Sequence, residues 1–221
     1  GIHVVISAGG TSEAWDPVRF LGNASSGRQG VELARCALAR GAAVTLVAAH
    51  MDVEPPGGAQ VVRAGSAEEL REAMHAASAT ADVVVMAAAV ADFRPADVGS
   101  HKIKKTDDTD APSLRLERTA DVLRELVEKR GTAAMPIIVG FAAETGEPDR
   151  TVVELGREKL ARKGCDLLVV NDVSSGQVFG KPDNAVAILG ADGTEREVPR
   201  ADKAEIADAI WDVVVERLDR V

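Results

Sequence analysis

The chain has 221 residues, 46% of them hydrophobic and 28% charged, which suits a globular protein with one sizeable core. Its 26 basic and 35 acidic side chains give a formal charge of −9, and aromatic residues make up only 3%, so a nucleic-acid-binding protein is not expected. No run reaches the roughly 18 unbroken apolar residues of a membrane helix. Two cysteines, Cys36 and Cys165, are too few for a disulfide scaffold and fit a reducing, cytoplasmic location.

The first half of the chain alternates apolar runs with amphipathic segments. The β-branched run from Ile2 to Ala8 predicts a buried strand that ends at a glycine pair. A polar loop follows to about Asn23, and a helix then opens at 25–27 and continues to about 39. Further strands are predicted over 43–48, 60–63 and 82–88. A capping box formed by Ser66 and Glu69 predicts the start of a helix that extends to about 79.

The second half continues this alternation. Helices are predicted over 120–129, 149–162 and 202–218, strands over 136–142 and 166–170, and a hairpin over 185–198 around Asp192–Gly193. Strands of continuous Val, Ile and Ala are typical of a parallel sheet that is covered on both faces. We therefore predict an α/β, Rossmann-like doubly wound fold with a mainly parallel sheet. Its ligands are expected at the carboxyl ends of the strands.

One segment, residues 92–118, breaks the alternation and is called the flap here. It is rich in charge, is interrupted at Gly99–Ser100, and ends in an alternating Leu114–Arg115–Leu116 pattern. We interpret it as a mobile flap or strap that borders the site within a single domain over 1–221.

The loop after the first strand predicts an anion site. It joins a glycine turn to a helix start rich in small residues, where backbone N–H groups and the helix dipole favour phosphate. The spacing matches neither the dinucleotide fingerprint nor the Walker loop, so a turn followed by an ordinary helix cap is an equal alternative. Arg19 could grip a carboxylate or phosphate, and the Asn23 amide could donate and accept hydrogen bonds.

The segment MAAAVADFRP follows the fourth strand. Its small residues would let a flat base lie against the backbone, and Asp92 could bind magnesium, a ribose hydroxyl or an exocyclic amine. The alternative is that the alanines are core strand and Asp92 is a turn former.

Two lysine groups could hold a polyanion. Lys102, Lys104 and Lys105 form a local positive spot in the flap, while Lys159 and Lys163 lie four residues apart on one helix face. Solvated charge is the alternative for both groups.

Other chemistry finds no support in the sequence. The four histidines lack metal-ligand spacing, the cysteines are interpreted as structural, and no nucleophile elbow is present. An NAD(P)-dependent Rossmann reductase of the short-chain type needs a Tyr-x-x-x-Lys pair, and the chain contains no tyrosine. A non-enzymatic nucleotide-binding module remains the second alternative.

Six segments in order carry a resemblance: ISAGGTSEAWDPVRFLGNASSGRQG, AAVADFRP, KIKK, GFAAET, KGCDLLVVNDVS and FGKPDN. Together they resemble phosphopantothenoylcysteine synthetase over essentially the whole chain. The resemblance is to the synthetase domain of the bacterial bifunctional coenzyme A biosynthesis protein, which follows a flavin-dependent decarboxylase. We expect that decarboxylase to be absent from this chain, in keeping with a start at Gly1, and no flavin in this domain.

The resemblance implies a ligase reaction. It implies that 4′-phosphopantothenate and L-cysteine are joined through an acyl-cytidylate, with Mg2+ present and with CTP converted to CMP and pyrophosphate. The bacterial motifs favour CTP over ATP as the co-substrate. A cytoplasmic homodimer, with a larger assembly through the decarboxylase half, is implied as well, without nucleic acid or membrane partners.

The resemblance also implies residue roles. Lys102 and Asn23 are the expected catalytic residues, and Asp92 is the expected metal ligand. The expected CTP-binding residues are Ala87, Ala88, Ala89, Asp92, Lys102, Ala120, Asp121, Val122, Leu123, Phe141, Lys159 and Lys163. The expected substrate- and phosphate-binding residues are Gly9, Gly10, Arg19, Asn23, Ser25, Ser26 and Gly27.

Overall fold

The structure, a computed structural model, describes residues 1–104, 111–145, 147–173 and 183–221. Its strands are β1 (His3–Ala8), β2 (Ser12–Ala14), β3 (Phe20–Gly22), β4 (Ala43–Ala48), β5 (Gln60–Arg63), β6 (Val83–Met86), β7 (Phe93–Pro95), β8 (Leu116–Arg118), β9 (Ile137–Glu144), β10 (Leu167–Asp172), β11 (Asp183–Gly190) and β12 (Glu195–Asp202). Its helices are α1 (Arg28–Ala39), α2 (Ala67–Ala77), α3 (Val122–Arg130), α4 (Val152–Lys163) and α5 (Lys203–Leu218).

An eight-stranded sheet organises the chain in the order β12-β11-β10-β9-β6-β1-β4-β5. The six strands from β10 to β5 are parallel, and the hairpin β11–β12 extends the sheet antiparallel. This arrangement confirms the predicted mainly parallel α/β sheet. Because the chain builds outward in opposite directions from β1, towards β4 on one side and β6 on the other, the switch point lies between β1 and β6.

The sheet is buried on both faces, which explains its unbroken apolar strands. In β1, Val4, Val5 and Ile6 are all buried, although successive side chains point to opposite faces. Helices α1 and α5 cover one face, where the Trp211 indole N–H donates to the carbonyl of Leu33 at 2.9 Å. Helices α2, α3 and α4 cover the other face.

Local capping sets the helix starts. The predicted capping box of Ser66 and Glu69 is present at α2, and Thr151 and Asp202 begin equivalent boxes at α4 and α5. Asp121 caps α3 by accepting the N–H of Arg124. The predicted starts at 120 and 149 are therefore two and three residues early.

Two small ladders lie outside the main sheet. The predicted polar loop contains the antiparallel pair β2–β3, and the flap contains the antiparallel pair β7–β8. Three-residue strands are too short to show a period in the sequence, so both were missed. Within the described part of the chain, none of the helices has the length and apolar character that crossing a bilayer demands.

Candidate functional site

Backbone hydrogen bonds join the loop after β1 to the loops after its two neighbours in the sheet, β4 and β6. The N–H of Gly10 donates to the carbonyl of His50 at 2.9 Å, and the N–H of Ala89 donates to the carbonyl of Gly9 at 2.8 Å. Gly9 has φ +88°, and a Cβ atom there would lie 2.4 Å from the His50 oxygen. The two glycines thus hold neighbouring strand ends together, and the Gly10 N–H is not free for a phosphate. Their predicted phosphate contact stays a prediction.

A cavity of about 850 Å³, called the α1 pocket, opens at the start of α1. Gly27 begins this helix in a left-handed conformation with φ +74° and provides no side-chain cap, while the Ser26 hydroxyl accepts the N–H of Arg28 at 3.5 Å. The first turn of α1 carries no acidic residue. The N-terminal N–H groups therefore face the pocket as an anion-accepting helix end. The α1 pocket is lined by Gly22, Asn23, Ala24, Ser25, Ser26, Gly27, Arg28, Gln29, Gly30, Asp52, Ala87, Ala88, Ala89, Phe141, Ala142, Ala143, Asn171, Val173 and Lys203.

A second cavity of about 480 Å³, called the α3 pocket, lies at the start of α3. It is lined by Met86, Ala88, Val90, Ala91, Asp92, Phe93, Arg118, Thr119, Ala120, Asp121, Val122, Leu123, Phe141, Lys159 and Lys163. Nine of the predicted CTP-binding residues are therefore in one cavity, although they come from four separate segments. These four segments lie together because each one follows or faces the carboxyl end of a strand in the central sheet.

The two lysines of α4 meet carboxylates at the α3 pocket. The Lys159 ammonium lies 3.0 Å from Glu144, and the Lys163 ammonium lies 2.5 Å from Asp121. Their side chains are only 27% and 22% exposed, so they are not the solvent-facing lysines of the alternative interpretation. The predicted common helix face is confirmed.

The two pockets adjoin. Ala88 and Phe141, at the ends of β6 and β9, line both of them. Asn23 lines the α1 pocket, and its side-chain amide donates at 3.2 Å to the carbonyl of Val90, which lines the α3 pocket. Asn23 therefore lies where the two cavities meet.

Arg19 and Lys102 line neither pocket. The Arg19 guanidinium donates to the Asp16 carboxylate at 2.7 Å and to the carbonyl of Ile103 at 3.1 Å, above the Trp15 ring. Lys102 is exposed, and none of the ion pairs found among the described residues includes it. Lys105 and most of the Phe179–Asn184 motif lie outside the described residues.

Comparison with known proteins identifies the family. Residues 1–218 match the family model of the DNA/pantothenate metabolism flavoprotein C-terminal domain. The chain belongs to this family. The Coenzyme A biosynthesis bifunctional protein CoaBC of Mycobacterium tuberculosis is 48% identical over 219 residues, which cover 97% of this chain and 52% of that protein. The chain thus spans about half the length of the curated relatives it matches.

Solved structures agree with this flavoprotein C-terminal domain family. The C-terminal domain of CoaBC is 34% identical, with a TM-score of 0.82 over 100% of this chain and 97% of that one. A Cab2 mutant in complex with phosphopantothenate-cysteine has a TM-score of 0.76 and 19% identity over 99% of this chain and 87% of that one, which supports the fold alone. The resemblance inferred from the sequence motifs is confirmed at the level of the family.

The α3 pocket of this family member offers carboxylates for a magnesium ion. Among the described residues, no group of three or more His, Cys, Asp or Glu side chains could hold a metal. Magnesium bound to a nucleotide commonly uses one or two carboxylates together with phosphate oxygens. Asp92, an exposed carboxylate on the pocket wall, and Asp121 fit that requirement.

The cysteines do not act as nucleophiles at neutral pH. Burial raises the pKa of the Cys165 thiol to about 11. Burial, together with the hydrogen bond to Asp208, raises the pKa of Cys36 to about 11 as well. Both sulfurs are therefore protonated thiols, which agrees with their interpretation as structural residues.

Several residues in or beside the pockets were missed by the sequence analysis. Glu144, the partner of Lys159, ends β9, and Asn171 lies near the end of β10. Both positions follow from the rule that ligands bind at carboxyl strand ends, so that rule could have found them. Asp52, which follows the carboxyl end of β4, could have been found in the same way. Gln29 and Lys203 carried no such signal, because their approach depends on how α1 and α5 pack.

Proposed function

We propose that this chain joins 4′-phosphopantothenate to L-cysteine and converts CTP to CMP and pyrophosphate. The observation that carries the proposal is the pair of adjoining pockets that share Ala88 and Phe141. One pocket has a helix start that suits the phosphate of an acyl substrate, and the other has paired lysines that suit a triphosphate. The CoaBC relatives, named for coenzyme A biosynthesis, support the same assignment.

The first step activates an unreactive acid. A carboxylate is a poor electrophile, so its oxygen attacks the α-phosphate of CTP in line, and the bond from that phosphorus to the pyrophosphate breaks. Negative charge then builds on the departing pyrophosphate. Lys159 and Lys163 line the α3 pocket and neutralise that charge, and Lys102, which lines neither pocket, approaches it from the flap.

Asp92 and Asp121 would hold a magnesium ion together with the triphosphate. Such an ion supplies charge neutralisation and fixes the orientation of the phosphate oxygens. Before nucleotide binds, the Glu144 and Asp121 carboxylates hold the two ammonium groups close to the pocket. The phosphates then compete with these carboxylates for the lysines.

The second step forms the amide. The amine of cysteine attacks the acyl carbonyl, the bond from that carbon to the cytidylate oxygen breaks, and CMP leaves while the amine loses a proton. Asn23 lies between the pockets, with its amide nitrogen held by Val90, so its side chain contacts the acyl-cytidylate that spans them. An uncharged amide can approach this anion, whereas a carboxylate would repel it.

Pyrophosphate release tests the proposal. The protein is mixed with CTP and 4′-phosphopantothenate, and we expect about one equivalent of pyrophosphate without cysteine and multiple turnovers with it. ATP in place of CTP tests the nucleotide preference. A nucleotide-binding module would bind CTP and release no pyrophosphate, and a Rossmann reductase would bind a nicotinamide cofactor instead; either result would overturn the proposal.

We also propose that the chain forms a homodimer whose interface includes the two small strand pairs, β2–β3 and β7–β8. Apolar side chains on and beside β2–β3 and β7–β8 are exposed, including Val18, Phe93, Val98, Leu116 and Phe20, which is 70% exposed. Exposed apolar groups clustered in this way mark an interface. Sedimentation at micromolar concentration should give twice the chain mass, and Phe20→Ser should shift the protein towards monomer. An assembly with a decarboxylase half, in the cytoplasm, is part of the same proposal.

A further inference from the structure

The flap is attached to the first loop on both sides of Lys102. On one side, the N–H of Gly99 donates to the carbonyl of Trp15 at 2.9 Å. On the other side, the N–H of Ile103 donates to the Asp16 carboxylate at 3.1 Å, and its carbonyl accepts from Arg19 at 3.1 Å. The backbone that carries Lys102 is therefore held at two points, although the two segments are more than 80 residues apart in the chain.

Asp16 is the centre of this attachment. Its side chain is 0% exposed. One oxygen, Oδ1, accepts the N–H groups of Val18 at 2.9 Å and Arg19 at 2.7 Å, which folds the first loop. The other oxygen, Oδ2, accepts the N–H of Ile103 and the Arg19 guanidinium, which holds the flap. Oδ1 therefore stabilises the first loop, and Oδ2 attaches the flap to it.

The protonation state agrees with this geometry. Burial raises the pKa of Asp16, but hydrogen bonds from the backbones of Val18, Ile103 and Arg19 outweigh it, so the pKa lies below its usual value. The carboxylate is ionised at neutral pH and can accept from all of these donors.

We propose that Asp16, together with Arg19, is a positioning residue for Lys102 and does not itself contact substrate. This inference rests on the proposed function, because it requires Lys102 to act on the triphosphate. A lysine side chain has several rotatable bonds, so placing its ammonium beside the phosphates costs conformational entropy. That cost is smaller when the backbone that carries the lysine is already fixed. The arrangement also gives Arg19 a role other than the predicted grip on substrate.

Asp16→Asn is expected to keep the hydrogen bonds within the first loop and to remove those that attach the flap. An asparagine oxygen can still accept from Val18 and Arg19 and keep the first loop folded. Its NH2 group would then face two donors, the Ile103 N–H and the Arg19 guanidinium, so the attachment of the flap is lost. Arg19→Met is the second variant, because it removes the guanidinium and leaves the three backbone donors of Asp16 in place.

A double-mutant cycle tests the inference. Single-turnover pyrophosphate release is measured for the unaltered protein, Asp16→Asn, Lys102→Gln and the double variant. We expect Asp16→Asn to slow release about tenfold on its own and less than about twofold in the Lys102→Gln background, because coupled residues are non-additive. The Km for CTP should change less than the rate.

The results of the cycle distinguish a failure of the inference about Asp16 from a failure of the proposed role of Lys102. If Asp16→Asn slows release by the same factor in both backgrounds, Asp16 does not act through Lys102 and the inference is overturned while the proposed function stands. If Lys102→Gln has no effect, the proposed role of Lys102 fails and the inference fails with it. If Asp16→Asn does not fold, the cycle is run with Arg19→Met, for which additive effects would likewise overturn the inference.

Two controls accompany the cycle. Asp192→Asn is a matched change, because Asp192 also accepts a backbone N–H, from Thr194, and pairs with Arg217 and Arg220, but it lies in the β11–β12 turn. Its release rate should equal that of the unaltered protein. Trypsin cleavage of the bond between Lys102 and Ile103, followed by mass spectrometry, should accelerate in Asp16→Asn and not in Asp192→Asn. Unchanged cleavage in Asp16→Asn would contradict the loss of the attachment.

Discussion

The Lys159 ammonium lies 3.0 Å from the Glu144 carboxylate, and this ion pair borders the cavity proposed for the triphosphate. Glu144 ends β9 and Lys159 lies on α4, so the pair joins a strand end to the helix that follows it. The lysine is thus held near the pocket, but in contact with a competing anion.

Glu144→Gln is expected to tighten CTP binding. The change removes a negative charge that competes with phosphate for Lys159, and a partly exposed pair is worth about 0.5–1 kcal/mol, so Kd should fall severalfold. Isothermal titration calorimetry measures it. Glu158→Gln, a change on the exposed side of α4 where Glu158 pairs with Arg150, is the matched control and should leave Kd unchanged. Weaker binding in Glu144→Gln would show that Glu144 supports the ligand.

Lys102→Gln is expected to slow the cytidylylation step. If the ammonium stabilises charge that develops on the phosphates, its loss costs about 2–4 kcal/mol of transition-state stabilisation. Rapid-quench measurement of pyrophosphate release without cysteine reports this step. Lys129→Gln, which removes an exposed ammonium bonded to the carbonyl of His75, should have no effect. Normal release in Lys102→Gln would remove Lys102 from its proposed role.

Asn23→Asp is expected to impair turnover while the fold survives. The new carboxylate would stand beside an anionic intermediate and would lose the hydrogen bond to Val90. Steady-state product formation and thermal unfolding together separate the two effects. Gln60→Glu places the same change of charge on the edge strand β5 and serves as the control. Normal kinetics in Asn23→Asp would show that Asn23 only shapes the loop.

Gly30→Ala is expected to destabilise the protein and disturb the α1 pocket. A Cβ atom at Gly30 would lie 2.4 Å from the Cβ of Ala8, so α1 would have to move away from β1. Overpacking of this kind costs typically about 1–3 kcal/mol. Urea unfolding measures the change, and Gly57→Ala, with no atom within 4 Å of its Cβ, is the control. Equal stability of the two variants would contradict the close approach of α1 and β1.

Cys36 is expected to react slowly with iodoacetamide. Burial and the Asp208 carboxylate raise its pKa from the ordinary thiol value of 9.0 to about 11, so little thiolate exists at pH 8. Because the folded state disfavours the thiolate, this contribution to stability is present below pH 9 and is lost as the pH rises through 11. Asp208→Asn should speed alkylation at pH 8, which mass spectrometry follows. Equal alkylation rates in Asp208→Asn and the unaltered protein would show that the Asp208 charge does not slow the reaction of Cys36.

Much of the fold was predictable because its signals are local. The bounds of β4 and β5 and the capping box at α2 agree with the prediction, since apolar runs and caps depend on neighbouring residues. The common face of Lys159 and Lys163 follows from helix geometry alone. The six ordered motifs were enough to indicate the family.

What the sequence determined by itself was therefore the class of the sheet, most helix and strand positions, and the residue types at the strand ends. Only the tertiary structure decided the strand order, the two adjoining pockets, and the partners of the charged groups. Arg19 shows the reason: its sequence context indicates a ligand for an anion, but Asp16 and Ile103 take up its guanidinium. Arg19 and Ile103 are 84 residues apart in the sequence, so no local sequence pattern indicates their contact. Tertiary folding, and not local conformation, brings the two groups together.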